Sequence, residues 1–162
     1  MELAEWLVDR GARSLILCSR AGIRTAYQRK KINYLEQFFD ANISISKLNI
    51  MDEKECEQLV KQINKPLGGL FHLAAVLQDS LFENLTEEAF EQVVNIKYLG
   101  TKYLDTYTRI HCKDTLEYFV VFSSISCGRG NAGQSNYGFA NSIMERLCEQ
   151  RQRDGLPGKE NY

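Results

Sequence analysis

Three polar side chains in the last third of the chain have the types and spacing that reduction of a carbonyl group requires. Tyr137 and Asn141 are four residues apart, so on a helix both project from the same face. Ser124 directly follows an apolar run, at the position where a parallel sheet presents its functional groups. Reduction adds a hydride to carbon and a proton to oxygen, so two hydroxyl groups aimed at one carbonyl oxygen can polarise and protonate it.

Lys97 is the candidate for a group that makes the tyrosine a better acid. A phenol is a weak acid at neutral pH, and a nearby ammonium group favours its deprotonated form. Lys97 lies on a long predicted helix before the Ser124 strand, and a strand–helix–strand unit can fold it back onto the site. Taken singly, the four residues also fit plainer roles as a solvated charge, a cap, a helix-face aromatic and a surface amide. Their joint occurrence favours a site.

The elements that must position these residues alternate between helix and strand. Such alternation implies parallel pairing through crossovers, hence an α/β fold with a doubly wound, Rossmann-like parallel sheet. Its ligand crevice lies at the carboxyl ends of the strands. A glycine-rich loop is predicted over 128–133. Apolar patterns predict strands at 14–19, 43–48, 69–74 and 118–122, and helices near 1–10, 20–39, 53–63, 87–108 and 137–151.

Composition limits the possible functions. With 162 residues, 44% of them hydrophobic, the chain fits one globular domain. A net charge of −1 from 20 basic and 21 acidic residues gives no overall field for nucleic acid or an anionic membrane. Five cysteines without a CxxC pair or a histidine cluster argue against a disulfide framework and a metal site. With no apolar run near ~18 residues, these features predict a cytoplasmic, non-membrane protein.

The segment 122–141, FSSISCGRGNAGQSNYGFAN, resembles the ketoreductase domain of animal fatty acid synthases, and polyketide synthase ketoreductases share a looser version. Lys97, Ser124, Tyr137 and Asn141 match the catalytic positions of this extended branch of short-chain dehydrogenases/reductases. The resemblance covers nearly the whole chain. It implies NADPH-dependent reduction of a 3-ketoacyl thioester on acyl carrier protein to the 3-hydroxyacyl product in fatty acid biosynthesis, alongside the other domains of a larger synthase.

The residues after the first predicted strand indicate the cofactor. An NAD enzyme usually places an acid there for the ribose hydroxyls, whereas this chain has Ser19 and Arg20, and a guanidinium group favours the 2′-phosphate of NADPH. Arg20 could equally be an ordinary surface arginine. The resemblance adds four further cofactor-binding positions: Asn49 and Ile50 near the adenine, and Ala74 and Ala75 at the end of the next strand.

One loop residue bears on the stereochemistry of the product. Asp79 matches the last acid of the Leu-Asp-Asp signature of B-type polyketide ketoreductases, which implies a 3R alcohol, although Gln78 departs from that signature. His72, inside an apolar strand, is interpreted as a core histidine.

A doubly wound sheet normally starts with a strand and a glycine-rich turn that holds a pyrophosphate, whereas this chain starts on a helix. We therefore expect a truncated sheet, with the first strand, its glycine-rich loop and the last strands missing. The resemblance then implies a partial ketoreductase Rossmann domain over 1–158 and a divergent C-terminal end at 159–162. The alternative hypothesis is a non-catalytic ketoreductase-like fragment that cannot bind NADPH.

Overall fold

The computed structural model describes residues 1–161 and confirms the predicted alternation of helices and parallel strands. As predicted, the described chain opens on a helix. A short 3-10 turn at Phe82–Asn84 precedes the longest helix. The elements are α1 (Glu2–Asp9), β1 (Ser14–Cys18), α2 (Ala26–Phe39), β2 (Asn42–Ser46), α3 (Glu53–Lys61), β3 (Gly69–His72), α4 (Glu87–His111), β4 (Tyr118–Phe122), α5 (Ser126–Arg129), α6 (Ser135–Arg153) and β5 (Lys159–Asn161).

Residues 1–49 form a compact unit with its own core. β1 and β2 pair in parallel and place Leu15 opposite Ile43, and both side chains are buried. α2 begins with a capping box, in which the Thr25 hydroxyl accepts from the Gln28 N–H and the Gln28 side chain accepts from the Thr25 N–H. This packing fixes the carboxyl ends of the two strands.

The residues from Ile50 onward form a second compact unit. Its sheet has the order β3-β4-β5, and both strand pairs are parallel. The central strand carries Phe119 and Val121, which are buried together with Leu104 of α4 and Met144 of α6 in one apolar cluster. The helices that carry the predicted catalytic residues are therefore anchored on β4.

The five strands of the described chain form two parallel sheets, β1-β2 and β3-β4-β5. The prediction that the last strands are missing is wrong at residues 159–161, which form β5 and pair with β4. This polar segment, Lys-Glu-Asn, has no apolar pattern that predicts a strand. Its strand conformation comes from backbone pairing with β4. Tyr162, the last residue of the predicted divergent end, lies outside the described residues.

The predicted loop over 128–133 is partly helical, which corrects the sequence-based interpretation. The single turn α5 covers Ser126–Arg129 and stops at Gly130, whose φ of 74° lies in the left-handed region. Gly133 has a φ of 77°, and its carbonyl oxygen accepts a hydrogen bond of 2.9 Å from the Ser80 N–H. One helical turn is too short for helical periodicity to reveal it.

Candidate active site

Lys97 lies on the buried face of α4. The buried stripe of this helix includes Val93, Lys97, Gly100 and Leu104 at helical spacing. Lys97 is only 2% exposed, and its Nζ donates to the Phe122 carbonyl oxygen over 3.0 Å. Burial lowers the pKa of Lys97 from 10.5 to about 8. Burial of an ammonium group among core residues costs free energy. Buried groups with a shifted pKa are characteristic of functional sites.

Tyr137 lies in the first turn of α6, close to this ammonium group. Nζ of Lys97 is 5.1 Å from the centre of the Tyr137 ring, within the range of a cation–π contact. The N–H of Tyr137 donates to Oδ1 of Asn136 over 2.8 Å, and Nδ2 of Asn136 donates to the carbonyl oxygen of Gln78 over 2.9 Å. The fully buried Asn136 thereby fastens the start of α6 to the segment after β3.

Asn141 is fully buried one turn after Tyr137. Its Nδ2 donates to the Tyr137 carbonyl oxygen over 2.8 Å, whereas its Oδ1 has no hydrogen-bond partner within residues 1–161. An unpaired buried acceptor costs about 1–3 kcal/mol. The Asn141 oxygen is therefore an acceptor that the fold of residues 1–161 leaves unused.

Ser124 lies in the turn between β4 and α5. Its Oγ accepts hydrogen bonds from the Ser126 N–H over 3.2 Å and from the Ser126 hydroxyl over 3.0 Å. These two bonds fix the direction of the Ser124 side chain at the carboxyl end of β4. The hydroxyl proton of Ser124 stays free to be donated elsewhere, because both bonds use Oγ as the acceptor.

The peptide group between Phe122 and Ser123 has both of its polar atoms engaged. The Phe122 carbonyl oxygen accepts from Lys97, and the Ser123 N–H donates to the carbonyl oxygen of Asn161 on β5 over 2.7 Å. One peptide plane therefore connects the buried lysine to the edge strand of the sheet.

Gly138 allows α6 to approach the Ser124 turn. A Cβ at Gly138 would lie 3.0 Å from the carbonyl oxygen of Ser126, a distance that backbone atoms must move to accommodate. The sequence analysis missed Gly138 and Asn136. Gly138 could have been found from sequence, because a glycine inside a predicted helix, directly after the candidate tyrosine, indicates close packing. Asn136 has no such sequence signal, because polar residues are common at the start of any helix.

Cys127 hydrogen-bonds a carboxylate beside the same turn. Its Sγ is 2.8 Å from Oε1 of Glu145, and the Ser123 hydroxyl donates to the same Oε1 over 2.5 Å. Burial, followed by the hydrogen bond to Glu145, raises the pKa of the Cys127 thiol. The thiol therefore stays protonated and acts as a donor that joins α5 to α6.

A cleft of about 390 Å³ opens next to the Ser124 turn. Ser126 and Gly138, where α5 and α6 meet, contribute to its wall. The exposed rings of Phe82 and Phe139 supply apolar surface, while Gln134 supplies an amide. Apolar surface with a few polar groups is the usual composition of a small-molecule site. The four predicted catalytic residues are not among the residues that line this cleft.

The Gln134 amide also fixes an acid near the cleft. Its Nε2 donates to Oδ2 of Asp79 over 3.0 Å, so the loop after β3 is joined to the start of α6 a second time. Asp79 is exposed, and it is not among the residues that line the cleft.

Three predicted cofactor-binding residues belong to the unit of residues 1–49. The Ser19 N–H donates to the Ser46 carbonyl oxygen over 2.9 Å, which continues the β1–β2 ladder by one residue. Arg20 is exposed, and its side chain makes no hydrogen bond or ion pair within residues 1–161. An exposed guanidinium group without a carboxylate partner fits a phosphate ligand. Asn49 is half-buried after β2.

The other three predicted cofactor-binding residues belong to the second unit. Ile50 packs against the core cluster of that unit. Ala74 is half-buried and Ala75 is exposed, and both lie in the irregular segment that follows β3. Their small side chains fit a position where a ligand must come close to the backbone.

Neither a membrane-spanning helix nor a metal cluster is found in the part of the chain that the structure describes. No helix within residues 1–161 is both long and apolar enough to cross a bilayer. The same residues include no group of three or more histidine, cysteine, aspartate or glutamate side chains that could hold a metal ion. All five cysteines are free thiols.

Proteins of similar sequence include large synthases. A hybrid PKS-NRPS synthetase of Macrophomina phaseolina (strain MS6) is 38% identical over 157 residues, and the reducing polyketide synthase DEP5 of Alternaria brassicicola is 32% identical over 157 residues. These alignments cover 95% and 96% of this chain. The chain spans only 4% and 6% of the length of those two relatives.

Solved structures of similar shape include ketoreductases. An N-terminal ketoreductase from the macrolactin assembly line is 34% identical, with a TM-score of 0.86 over 97% of this chain and 32% of that one. A structure of A-type ketoreductases from a modular polyketide synthase is 27% identical, with a TM-score of 0.89 over 98% of this chain and 33% of that one. A short-chain dehydrogenase/reductase from Vibrio parahaemolyticus, 18% identical with a TM-score of 0.76 over 98% of this chain and 74% of that one, shares the fold.

A family model, that of the KR domain, matches residues 1–159. The predicted Rossmann-like α/β fold and the predicted resemblance to ketoreductases are thereby confirmed. This chain belongs to the KR domain family.

Proposed function

We propose that this chain reduces the 3-keto group of an acyl chain held as a thioester on an acyl carrier protein, with NADPH as the hydride donor. The observation that carries the proposal is the approach of the Lys97 ammonium group to the Tyr137 ring, at the end of β4 where Ser124 follows. Membership in the KR domain family supports reduction of a β-keto group as the reaction class.

Each of the four polar residues has a defined task in this reaction. When bound, NADPH supplies a hydride to the keto carbon and leaves as NADP⁺. Tyr137 donates its phenolic proton to the keto oxygen, so the carbonyl becomes a secondary alcohol. Ser124 donates a hydrogen bond to the same oxygen and stabilises the negative charge that develops there. Lys97 favours the resulting phenolate through its positive charge, and Asn141 holds the turn of α6 behind Tyr137.

We assign NADPH binding to the six residues that the sequence predicts for the cofactor. The free guanidinium group of Arg20 supports NADPH over NADH, because it can pair with the 2′-phosphate. Titration of the polypeptide that carries this chain with NADPH and NADH, followed by fluorescence, distinguishes this assignment from the alternative of a non-catalytic protein, which would bind neither. The assigned residues are Ser19, Arg20, Asn49, Ile50, Ala74 and Ala75.

Substitution of Tyr137 by Phe tests the proposal directly. Because Tyr137→Phe removes the proton donor and keeps the ring, we expect turnover of a 3-ketoacyl thioester to fall by about 10²-fold or more. NADPH affinity should change little. The assay follows NADPH oxidation in the polypeptide that carries this chain. Tyr118→Phe, at an exposed position on β4, is the matched control.

The outcome that contradicts the proposal is near-normal turnover in the Tyr137→Phe variant together with unchanged stability. That result would remove Tyr137 from the role of proton donor. Equal losses in the Tyr118→Phe control would point instead to a general effect of removing a tyrosine hydroxyl.

The class of parent synthase sets the substrate range. The segment 122–141 supports a fatty acid synthase, whereas the relatives described above are polyketide synthases. Competition between unbranched and 2-methyl-branched 3-ketoacyl thioesters measures this substrate range. We propose a 3R product on the basis of Asp79, and chiral chromatography of the alcohol tests that assignment.

We also propose a cytoplasmic location for the parent protein. The support is chemical: the five cysteines are free thiols, and Cys56, Cys112 and Cys148 are buried, as expected where disulfides do not form. Fractionation of cells that express the tagged parent protein would test this location.

A further inference from the structure

Glu145 is a half-buried carboxylate on α6 that faces the turn carrying Ser124. Its Oε1 accepts from the Ser123 hydroxyl over 2.5 Å and lies 2.8 Å from Sγ of Cys127. These two donors stand on either side of Ser124, one directly before it in the chain and one in the helical turn after it. One carboxylate oxygen of α6 therefore holds both ends of the turn from 123 to 127.

The side chain of Glu145 has no other protein partner within residues 1–161. It forms no ion pair there, and its side-chain hydrogen bonds are the two from this turn. By contrast, Glu149, one turn later on α6, pairs with the exposed side chain of Arg146 over 2.7 Å. Hydrogen bonds to a carboxylate are stronger than those to a neutral acceptor. The contacts of Glu145 therefore stabilise the turn, whereas those of Glu149 lie on the helix surface.

The backbone of the turn is closed around Ser124 as well. The Cys127 N–H donates to the Ser124 carbonyl oxygen over 3.1 Å, and the Ser126 N–H donates to Oγ of Ser124 over 3.2 Å. Upstream, the Ser123 N–H donates to the Asn161 carbonyl oxygen over 2.7 Å. Because these bonds link neighbouring residues of one short turn, a shift of Ser123 or Cys127 must move Ser124 with it.

We propose that Glu145 is a positioning residue for Ser124. By holding the Ser123 hydroxyl and the Cys127 thiol on one oxygen, it fixes the direction in which the Ser124 hydroxyl meets the keto oxygen. A misplacement of about 1 Å at a reacting group can cost about 10²-fold in rate. The inference rests on the role given to Ser124 in the proposed function and adds a residue that acts only through the turn.

Two substitutions separate the hydrogen bonds from the packing. Glu145→Met fills similar space without a strong acceptor, whereas Glu145→Gln keeps an acceptor oxygen at the same distance from the backbone. Glu149→Met, which removes a carboxylate from the next turn of the same helix, is the matched control. All variants are made in the polypeptide that carries this chain.

The first readout is hydrogen exchange, which does not depend on catalysis. Mass spectrometry without cofactor or substrate follows the amides of 123–130, with those of 97–108 on α4 as the reference for overall stability. We expect Glu145→Met to speed exchange over 123–130 by about tenfold or more and to leave 97–108 unchanged. Glu145→Gln and Glu149→Met should exchange like the unmodified protein. Unchanged exchange over 123–130 in Glu145→Met, or equal acceleration over 97–108, would overturn the proposal.

The second readout is a double-mutant cycle that shows whether Glu145 acts through Ser124. We expect Glu145→Met to lower kcat for a 3-ketoacyl thioester by about 10- to 100-fold, with little change in KM for NADPH. Glu145→Gln should stay within about threefold of the unmodified protein, because it retains the acceptor. In a Ser124→Ala background the hydroxyl is gone, so Glu145→Met should have little further effect. Equal losses of kcat in both backgrounds would overturn the proposal.

A variant at the other end of the hydrogen bond keeps the test decisive if Glu145→Met does not fold. Ser123→Ala removes a donor and leaves α6 unchanged, so it should also speed exchange over 123–130 and lower kcat. Normal exchange and normal kcat in Ser123→Ala would then overturn the proposal. Near-normal kcat in Ser124→Ala would defeat the role of Ser124 in the proposed function, whereas unchanged exchange over 123–130 in Glu145→Met would defeat this inference alone.

Discussion

Burial of the Lys97 ammonium group makes the charged state of this residue costly to the folded chain. In place of a water shell, Nζ has one carbonyl oxygen and one aromatic ring. The folded pKa of Lys97 is about 8, below its ordinary value of 10.5, so the unfolded chain binds more protons between these two pH values. Stability therefore rises with pH across this window. The proposed role of Lys97 thus places a cation where packing favours an apolar side chain.

Replacement of Lys97 by Met should remove this pH dependence. We expect the free energy of unfolding of the unmodified chain to rise, relative to Lys97→Met, by roughly 3 kcal/mol between pH 8 and 10.5. Urea unfolding at a series of pH values measures the difference. Lys102→Met, at an exposed position on the same helix, is the control and should follow the unmodified chain. Parallel curves for Lys97→Met and the unmodified chain would contradict the prediction.

The types and spacing of the candidate residues could be predicted from sequence, but their partners could not. Tyr137 and Asn141 reveal a shared helix face through a spacing of four residues. Asn136 and Glu145 are ordinary polar residues in sequence, and only the fold brings them to the Gln78 carbonyl oxygen and the Cys127 thiol. Whether the proposed roles of the candidate residues are correct remains a prediction for mutagenesis.

At the scale of elements, α5 and α6 meet with almost no space between them. Gly138 faces the backbone of Ser126, and the shortness of this contact decides how near Tyr137 lies to the Ser124 turn. The same contact forms part of the cleft wall. The junction therefore affects both the separation of Tyr137 from the Ser124 turn and the shape of the cleft.

Gly138→Ala should separate the two helices. The added Cβ would meet the Ser126 carbonyl oxygen at 3.0 Å, so we expect a loss of about 1–3 kcal/mol in stability and a fall in turnover as Tyr137 moves. Gly128→Ala is the matched control, because a Cβ there has no atom within 4 Å. Thermal unfolding and NADPH oxidation measure the two effects. Equal stability of the two variants would show that the junction tolerates a side chain.

The long elements could be predicted because their apolar patterns repeat, whereas two short ones could not. α4 repeats its buried positions at helical spacing from Val93 to Thr108, and β4 is a continuous apolar run. α5 is a single turn without a full period, and β5 is polar along its whole length. Their conformations come from contacts with α6 and β4 that are distant in sequence.

On the scale of the whole molecule, a buried cation joins the elements of the second unit. Arg151 of α6 is 1% exposed and pairs with Asp105 of α4. Its Nε donates to the Pro157 carbonyl oxygen over 2.6 Å, just before β5, and its guanidinium carbon lies 4.1 Å from the ring centre of Phe119 on β4. Breaking such a pair leaves an uncompensated buried charge.

Asp105→Ala should therefore cost more stability than Arg151→Met. The first change leaves the buried guanidinium group without its carboxylate, at about 3–5 kcal/mol, whereas the second leaves Asp105 still paired with Arg109. The double variant should lose less than the sum of the single losses. Urea unfolding measures the cycle. Arg146→Met, which removes an exposed ion pair, is the control, and an equal loss there would contradict a special role for Arg151.

The peptide group that joins Phe122 to Ser123 makes the Ser123 amide a spectroscopic reporter of the charge on Lys97. Because Lys97 polarises the carbonyl side of this group while Asn161 engages its N–H, a change of charge on Lys97 should alter the resonance of the Ser123 amide. We expect that ¹⁵N shift to titrate with a midpoint near pH 8 and to become flat in Lys97→Met. The ionisation of a lysine hidden from solvent could then be followed in the resting protein through a single backbone nucleus.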